Sequence, residues 1–464
     1  MKHFAHYCFL LVLTIVCIGC FFFVYPFVTL SLDDYCRATW DVNNYVFNVK
    51  EWYFHHNGRY TNAILTSLPI YEKPIMQFSL ITLFVINITA LFYFITSLFL
   101  VAFNHIDFKF VFLTSILILS SIISFMPDIQ SYLYWIAGAT VYSFSASLIL
   151  FISGLLIRAV SFKKTLILAL LIILLIGSSE LYIIAVSFGL MVKQIAVFLS
   201  SKKLSYKVLF LQLIAVISSL AVYLSPGTSN RHGLMKSGGK FLASIYHSVT
   251  ESLSFSFQIL FSLEGFFLIA IFMALSLILH RENPSRKISL SGILVFSISA
   301  IILMTVVFIL YYAAGFFVER DGRVGNVITL IVILLLFLNI FTQMRYLICK
   351  NIVVNAIPLT YLYLTLALAF VGCIYNSTNY RLIYTEISQN NFLEREKSIE
   401  KRDLLIRQAV INNDEVLTLS LLKESKLLPD NNYLITEELW LEGCLLEYYN
   451  KVYQADFKQI KITK

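Results

Sequence analysis

Apolar positions along this 464-residue chain come in long unbroken runs. The runs cover residues 7–30, 76–103, 110–125, 142–160, 165–179, 181–199, 208–225, 255–279, 289–313, 327–343 and 352–375. A stretch of about 17–25 apolar residues crosses a bilayer as a helix, because a helix satisfies its own backbone hydrogen bonds. Transmembrane strands would instead alternate apolar and polar residues over about ten positions. The expected fold class is therefore all-α, a polytopic membrane helix bundle of about eleven spans. The first run is too long for a secretory signal core and has no small-residue cleavage site, so it reads as a retained span.

Composition removes the rivals. The chain is 59% hydrophobic and 13% charged, with 40 Phe but only 17 Gly and 8 Pro. A single soluble core cannot hide that much apolar surface, and disordered or collagen-like chains are built differently. The net charge of +8 would suggest nucleic acid in a soluble protein. In a helical membrane protein it reflects basic cytoplasmic loops instead, and no nucleic-acid partner is expected.

Lys and Arg set the expected orientation. Lys109, Arg158, Lys163, Lys164, Lys202, Lys203, Lys207, Arg281, Arg286, Lys287, Arg345 and Lys350 fall on the side of Lys2 when the spans alternate. The positive-inside rule makes that side cytoplasmic. Loops 31–75, 126–141, around 180, 226–254 and 315–326 then lie outside, as does the polar tail. Residues 1–375 are read as the membrane domain. Residues 376–464, rich in charged residues at helical spacing, are read as a small helical extracytoplasmic domain. Cys17 and Cys20 form a CxxC inside the first span, where small core residues are the expected reading. Cys36, Cys373 and Cys444 are placed outside and left unpaired.

The outer loops hold the candidate chemistry. In SLDDYCRATW, Asp33 and Asp34 directly follow the first span. Adjacent carboxylates at membrane depth are costly, and burial with mutual repulsion raises a pKa in the way a general base requires. A helix cap or topological stop remains the alternative. Residues 45–53 have the spacing of an interfacial helix, followed by HNGR. There Gly58 provides a turn, and Arg59 suits a phosphate or carboxylate. His55 and His56 are adjacent and so point apart on a helix, and no metal site is expected. YLYWIAGATVY brings Trp135 and Tyr142, either as an aromatic belt or as a sugar-stacking surface. Glu180 stands between two apolar runs with almost no loop, as a functional or a buried structural acid. SPGTSNRHG breaks a helix and supplies Arg231, followed by an expected interfacial helix. Glu264 is a weaker candidate. FFVERDGRVGN crowds Glu319, Arg320, Asp321 and Arg323 above a span, as an ion-pair network or as phosphate contacts.

The order of these motifs resembles the GT-C superfamily of membrane glycosyltransferases. Over residues 1–330 it looks like bacterial polytopic proteins related to the O-antigen-modifying glucosyltransferases, and LWLEGCLLEYYN is similar to the end of that group. The resemblance implies transfer of a sugar from a polyprenyl-phosphate donor to a glycan or lipid-linked acceptor, with inversion, on the outer face of a bacterial inner membrane. It makes Asp33 or Asp34 the base and Glu180 a second acid. It makes Arg59, Arg231, Arg320 and Arg323 phosphate ligands, and Trp135 and Tyr142 substrate-binding. No cofactor or divalent metal is expected, since a monophosphate leaving group does not require one; membrane lipids are the other partners. Here Asp33-Asp34 is followed by Tyr35, where many such proteins carry an acidic-aromatic-acidic or Asp-Glu arrangement. A transporter or flippase for a lipid-linked sugar or other anionic lipid is the competing class. Its ionisable groups belong at the midplane between repeats, whereas these gather at one face.

Overall fold

Helices form where the apolar runs lie. The computed structural model describes residues 4–31, 34–40, 42–103, 107–158, 161–234, 241–282, 292–314, 322–349, 357–420, 422–423, 425–428 and 439–463. In chain order the first helices are α1 (Phe4–Phe22), α2 (Asp34–Ala38), α3 (Tyr45–Glu51), α4 (Tyr60–Thr66), α5 (Lys73–Ala102), α6 (Phe108–Phe125) and α7 (Ile136–Ile157). There follow α8 (Phe162–Ser178), α9 (Ile183–Ser201), α10 (Tyr206–Tyr223), α11 (Pro226–Leu234), α12 (Phe241–Leu260), α13 (Leu263–Glu282), α14 (Gly292–Ala314), α15 (Gly322–Cys349) and α16 (Leu359–Asn376). The tail adds α17 (Thr378–Ser388), α18 (Asn391–Asn412), strand β1 (Val416–Ser420), α19 (Leu439–Tyr453) and strand β2 (Gln459–Thr463).

Ten segments among the described residues are long and apolar enough to cross a membrane. The eleventh expected span, α8, is apolar but has 17 residues, about 25 Å at 1.5 Å per residue. The protein is an all-α polytopic bundle, as the runs predict. Alternating passes place the ends of α1, α6, α8, α10, α14 and α16 on one side, here called the site face. The starts of α5, α7, α9, α13 and α15 lie there too. Helices α11 and α12 both begin and end on that face. The expected span at 255–279 is thus two elements, because Leu260 ends α12 and α13 starts at Leu263. Short α3 lies between spans and buries Asn48. Val46 and Phe47 remain exposed, which suits contact with lipid.

Some polar groups inside the bundle are tied down across helices, as hydrocarbon demands. Asn87 of α5 donates to Tyr132 Oη at 2.7 Å and to the Ser143 carbonyl at 3.2 Å. This joins α5, the 130–134 turn and α7.

The tail adds two features to the sequence reading. It is not wholly helical: β1 and β2 pair in parallel, Val416 opposite Gln459. Each strand is only five residues long, so alternation there was too brief to stand out beside helical charge patterns. Nor are the three cysteines alike. Cys36 of α2 is disulfide-bonded to Cys444 of α19, whereas Cys373 is buried inside α16. Other contacts dock the tail on the bundle. Asn379 donates to the carbonyls of Ile123 and Met126 at 2.7 and 2.8 Å. Phe392 stacks on Phe27, and Tyr35 lies edge-on to Tyr448.

Candidate functional site

The HNGR segment is anchored from below and from the side. A turn of π-helix at Trp52–His56 ends in extended Asn57, whose Oδ1 accepts the Arg59 backbone N–H at 3.0 Å. Gly58 sits so close to the junction of α10 and α11 that a Cβ there would lie 2.0 Å from Ser225 Oγ and 2.4 Å from the Val222 carbonyl. Its N–H donates to Thr228 Oγ1 at 3.1 Å, and Asn230 Nδ2 donates to the His55 carbonyl at 3.3 Å. The SPGTSNRHG stretch is therefore the wall against which HNGR folds. Below, the Tyr60 hydroxyl donates to the Ile173 carbonyl of α8 at 2.7 Å.

These anchors aim Arg59 at Glu180. Ser179 is extended, and Glu180 opens a single 3-10 turn between α8 and α9. Arg59 Nε donates to Glu180 Oε2 at 2.6 Å, with the two side chains 16% and 30% exposed. Burial works against the Arg59 charge, but Glu180 and Tyr142 outweigh it and hold the guanidinium above its ordinary pKa. Arg323, at the start of α15, lies within electrostatic reach of Arg59 and opposes that rise. Its guanidinium carbon stands 5.6 Å from the Trp135 ring centroid. Arg59, Tyr142, Glu180 and Arg323, with Trp135 beneath the last, thus gather from four distant stretches of the chain.

Trp135 is enclosed rather than open. It is 8% exposed, Arg323 covers one part of the ring, and Gly138 presses on another. The indole is a platform for the guanidinium. Tyr142 is half-buried and within electrostatic reach of Arg59.

Asp34 is fully buried, and its Oδ2 accepts the Ser31 N–H at 3.2 Å while its own N–H donates to the Ser31 carbonyl at 3.0 Å. Ser31-Leu32-Asp33-Asp34 has the spacing of a capping box, so the cap alternative describes Asp34. Asp33, Arg320, Glu319 and Asp321 lie outside the described residues. Arg231 is on α11, one residue beyond Asn230, and its side chain is outside the described set as well.

Sequence reading passed over two residues. Arg37 is 6% exposed with its guanidinium carbon 4.3 Å from the Trp52 ring centroid; Trp40 meets the same indole, which also stacks on His56. Burial lowers the His56 pKa, aided by Arg37 and His55 against an opposing Glu51. Asn326 is fully buried beneath Arg323. The one available signal was proximity: Arg37 lies in SLDDYCRATW and Asn326 in FFVERDGRVGN. No group of three or more His, Cys, Asp and Glu able to hold a metal occurs among the described residues.

The arrangement pairs Glu180 with Arg59 and sets Arg323 within electrostatic reach of that guanidinium, a combination suited to an anionic group. Comparison with protein-family models, curated proteins and solved structures gives no match to this chain.

Proposed function

We propose that this protein is a membrane glycosyltransferase that moves a sugar from a polyprenyl-phosphate donor to a glycan or lipid-linked acceptor. The carrying observation is the meeting of Arg59, Tyr142, Glu180 and Arg323 on one face of a helix bundle. A lipid phosphate is held at that depth by its chain, so guanidinium groups there are placed to bind it. Arg59 and Arg323 are the phosphate ligands, with Arg231 a third. Glu180 fixes Arg59 in place and keeps the pair from being a bare cluster of positive charge.

In the proposed reaction a carboxylate takes the proton of the acceptor hydroxyl. The freed oxygen attacks the anomeric carbon from the side opposite the phosphate, and the bond from that carbon to the phosphate oxygen breaks. Charge grows on the departing oxygen, where the guanidinium groups stabilise it. Asp34 is engaged in its helix cap, which favours Asp33 as the base.

Orientation follows the same reading. Disulfides persist in oxidising compartments, so the Cys36–Cys444 bond supports an extracytoplasmic site face. Basic loops on the opposite side agree, and a bacterial inner membrane is the proposed location.

The test uses membranes containing Asp33→Asn or Asp34→Asn and a polyprenyl-phosphate sugar. Asp33→Asn abolishes transfer with the protein folded, while Asp34→Asn lowers stability and leaves turnover per folded molecule largely intact. Full transfer by Asp33→Asn removes the proposed base.

A further inference from the structure

Asn326 lies one helical turn beyond Arg323, fully buried. Its side chain reads the backbone of the 127–135 loop. Nδ2 donates to the Asp128 carbonyl at 2.5 Å and to Ser131 Oγ at 3.4 Å, and Oδ1 accepts the Asp128 N–H at 3.1 Å. Asp128 Oδ1 in turn accepts the Ser131 N–H at 3.1 Å, which starts the turn leading to Trp135. Two glycines make the seam close enough for an amide to bridge it. A Cβ at Gly325 would stand 2.6 Å from Pro127 Cγ, and one at Gly322 2.8 Å from Asp128 Cβ. The first turn of α15 is thereby fixed to the loop that carries the indole beneath Arg323.

Resting on the proposed phosphate-binding role of this site, we infer that Asn326 is a positioning residue for Arg323. It sets the guanidinium over Trp135 and toward Arg59 without touching the ligand. A buried amide that exchanges hydrogen bonds with both a backbone N–H and a carbonyl has few substitutes, since losing either partner strands a desolvated group. The site thus extends into the packing of α15, and its phosphate affinity depends on a residue that never meets phosphate.

The experiment measures binding of a long-chain polyprenyl monophosphate to the full chain in detergent, with the uncharged polyprenol as control. Arg323→Ala and Asn326→Ala each weaken phosphate-dependent binding by about tenfold or more. Asn326→Ala adds nothing further in the Arg323→Ala background. Gly325→Ala, which keeps the amide but wedges the seam, reproduces the loss. Each variant is first shown to elute as one species with Cys36–Cys444 intact. Acrylamide quenching of Trp135, isolated by difference against Trp135→Phe, rises in Asn326→Ala. An equal loss in both Arg323 backgrounds, unchanged binding by Gly325→Ala, or unchanged quenching overturns the inference. A wild-type chain that prefers phosphate no more than alcohol removes the proposed function instead, and the quenching result still decides the coupling of Asn326 to the Trp135 platform.

Discussion

Removing Glu180 should cost more stability than removing Arg59, although the two share one hydrogen bond. At their 2.6 Å separation the attraction is about 6 kcal/mol for an effective dielectric near 20. Desolvation of both groups offsets most of that. Breaking a buried pair typically costs about 3–5 kcal/mol, because the survivor is left charged and unpaired. Glu180 is 30% exposed and Arg59 only 16%, so Glu180 without Arg59 hydrates more readily than Arg59 without Glu180. The expected losses are about 3 kcal/mol for Glu180→Ala, about 1–2 for Arg59→Ala, and an intermediate value for Glu180→Gln, which keeps an acceptor. The double variant should lose less than the sum of the singles by about 1–2 kcal/mol. Equilibrium unfolding in mixed micelles of mild detergent and dodecyl sulfate reads all four. Additive singles, or a Glu180→Ala cost below about 0.5 kcal/mol, would refute the claim that the pair is an energetic unit.

Gly58→Ala drives a methyl into Ser225 Oγ and the Val222 carbonyl. Backbone cannot step aside cheaply, so folded protein recovered by size exclusion should fall by more than half, and unchanged recovery would contradict the close approach. Cys444→Ser leaves the spans inserted but loosens the tail, so protease should cut residues 376–464 faster than in wild type; equal rates would show that other contacts suffice. Burial lowers the His56 pKa, so the unfolded state binds the proton more readily. Stability should therefore fall as pH drops from the ordinary histidine value of about 6.5 toward the lower folded value. His56→Gln should flatten that part of the profile, and a slope unchanged by the substitution would assign it elsewhere.

Spans were legible because continuous apolar runs need no partner to be recognised. The site was legible for a related reason. A charged group at the membrane boundary stands out against hydrocarbon, so Arg59, Glu180 and Arg323 could be singled out before their meeting was known. Partnership was less readable. Nothing local distinguishes Cys36 and Cys444 as a pair, or shows Val416–Ser420 and Gln459–Thr463 side by side. The fate of Asp34 turned on Ser31, a residue that drew no notice because serine is common at such positions. Trp135 could be singled out from YLYWIAGATVY, but which group covers its face depends on α15, nearly two hundred residues downstream.

The Cys36–Cys444 bond imposes a timetable on biosynthesis. Its halves are 408 residues apart, which at about 5–20 residues per second separates their appearance by roughly 20–80 s. Throughout that interval the early thiol has no native mate, and every intervening helix must be inserted before one arrives. If the site face is outside, as proposed, the chain then depends on an oxidant that tolerates delay, and a ribosome halted before codon 444 releases a product that can never be locked shut.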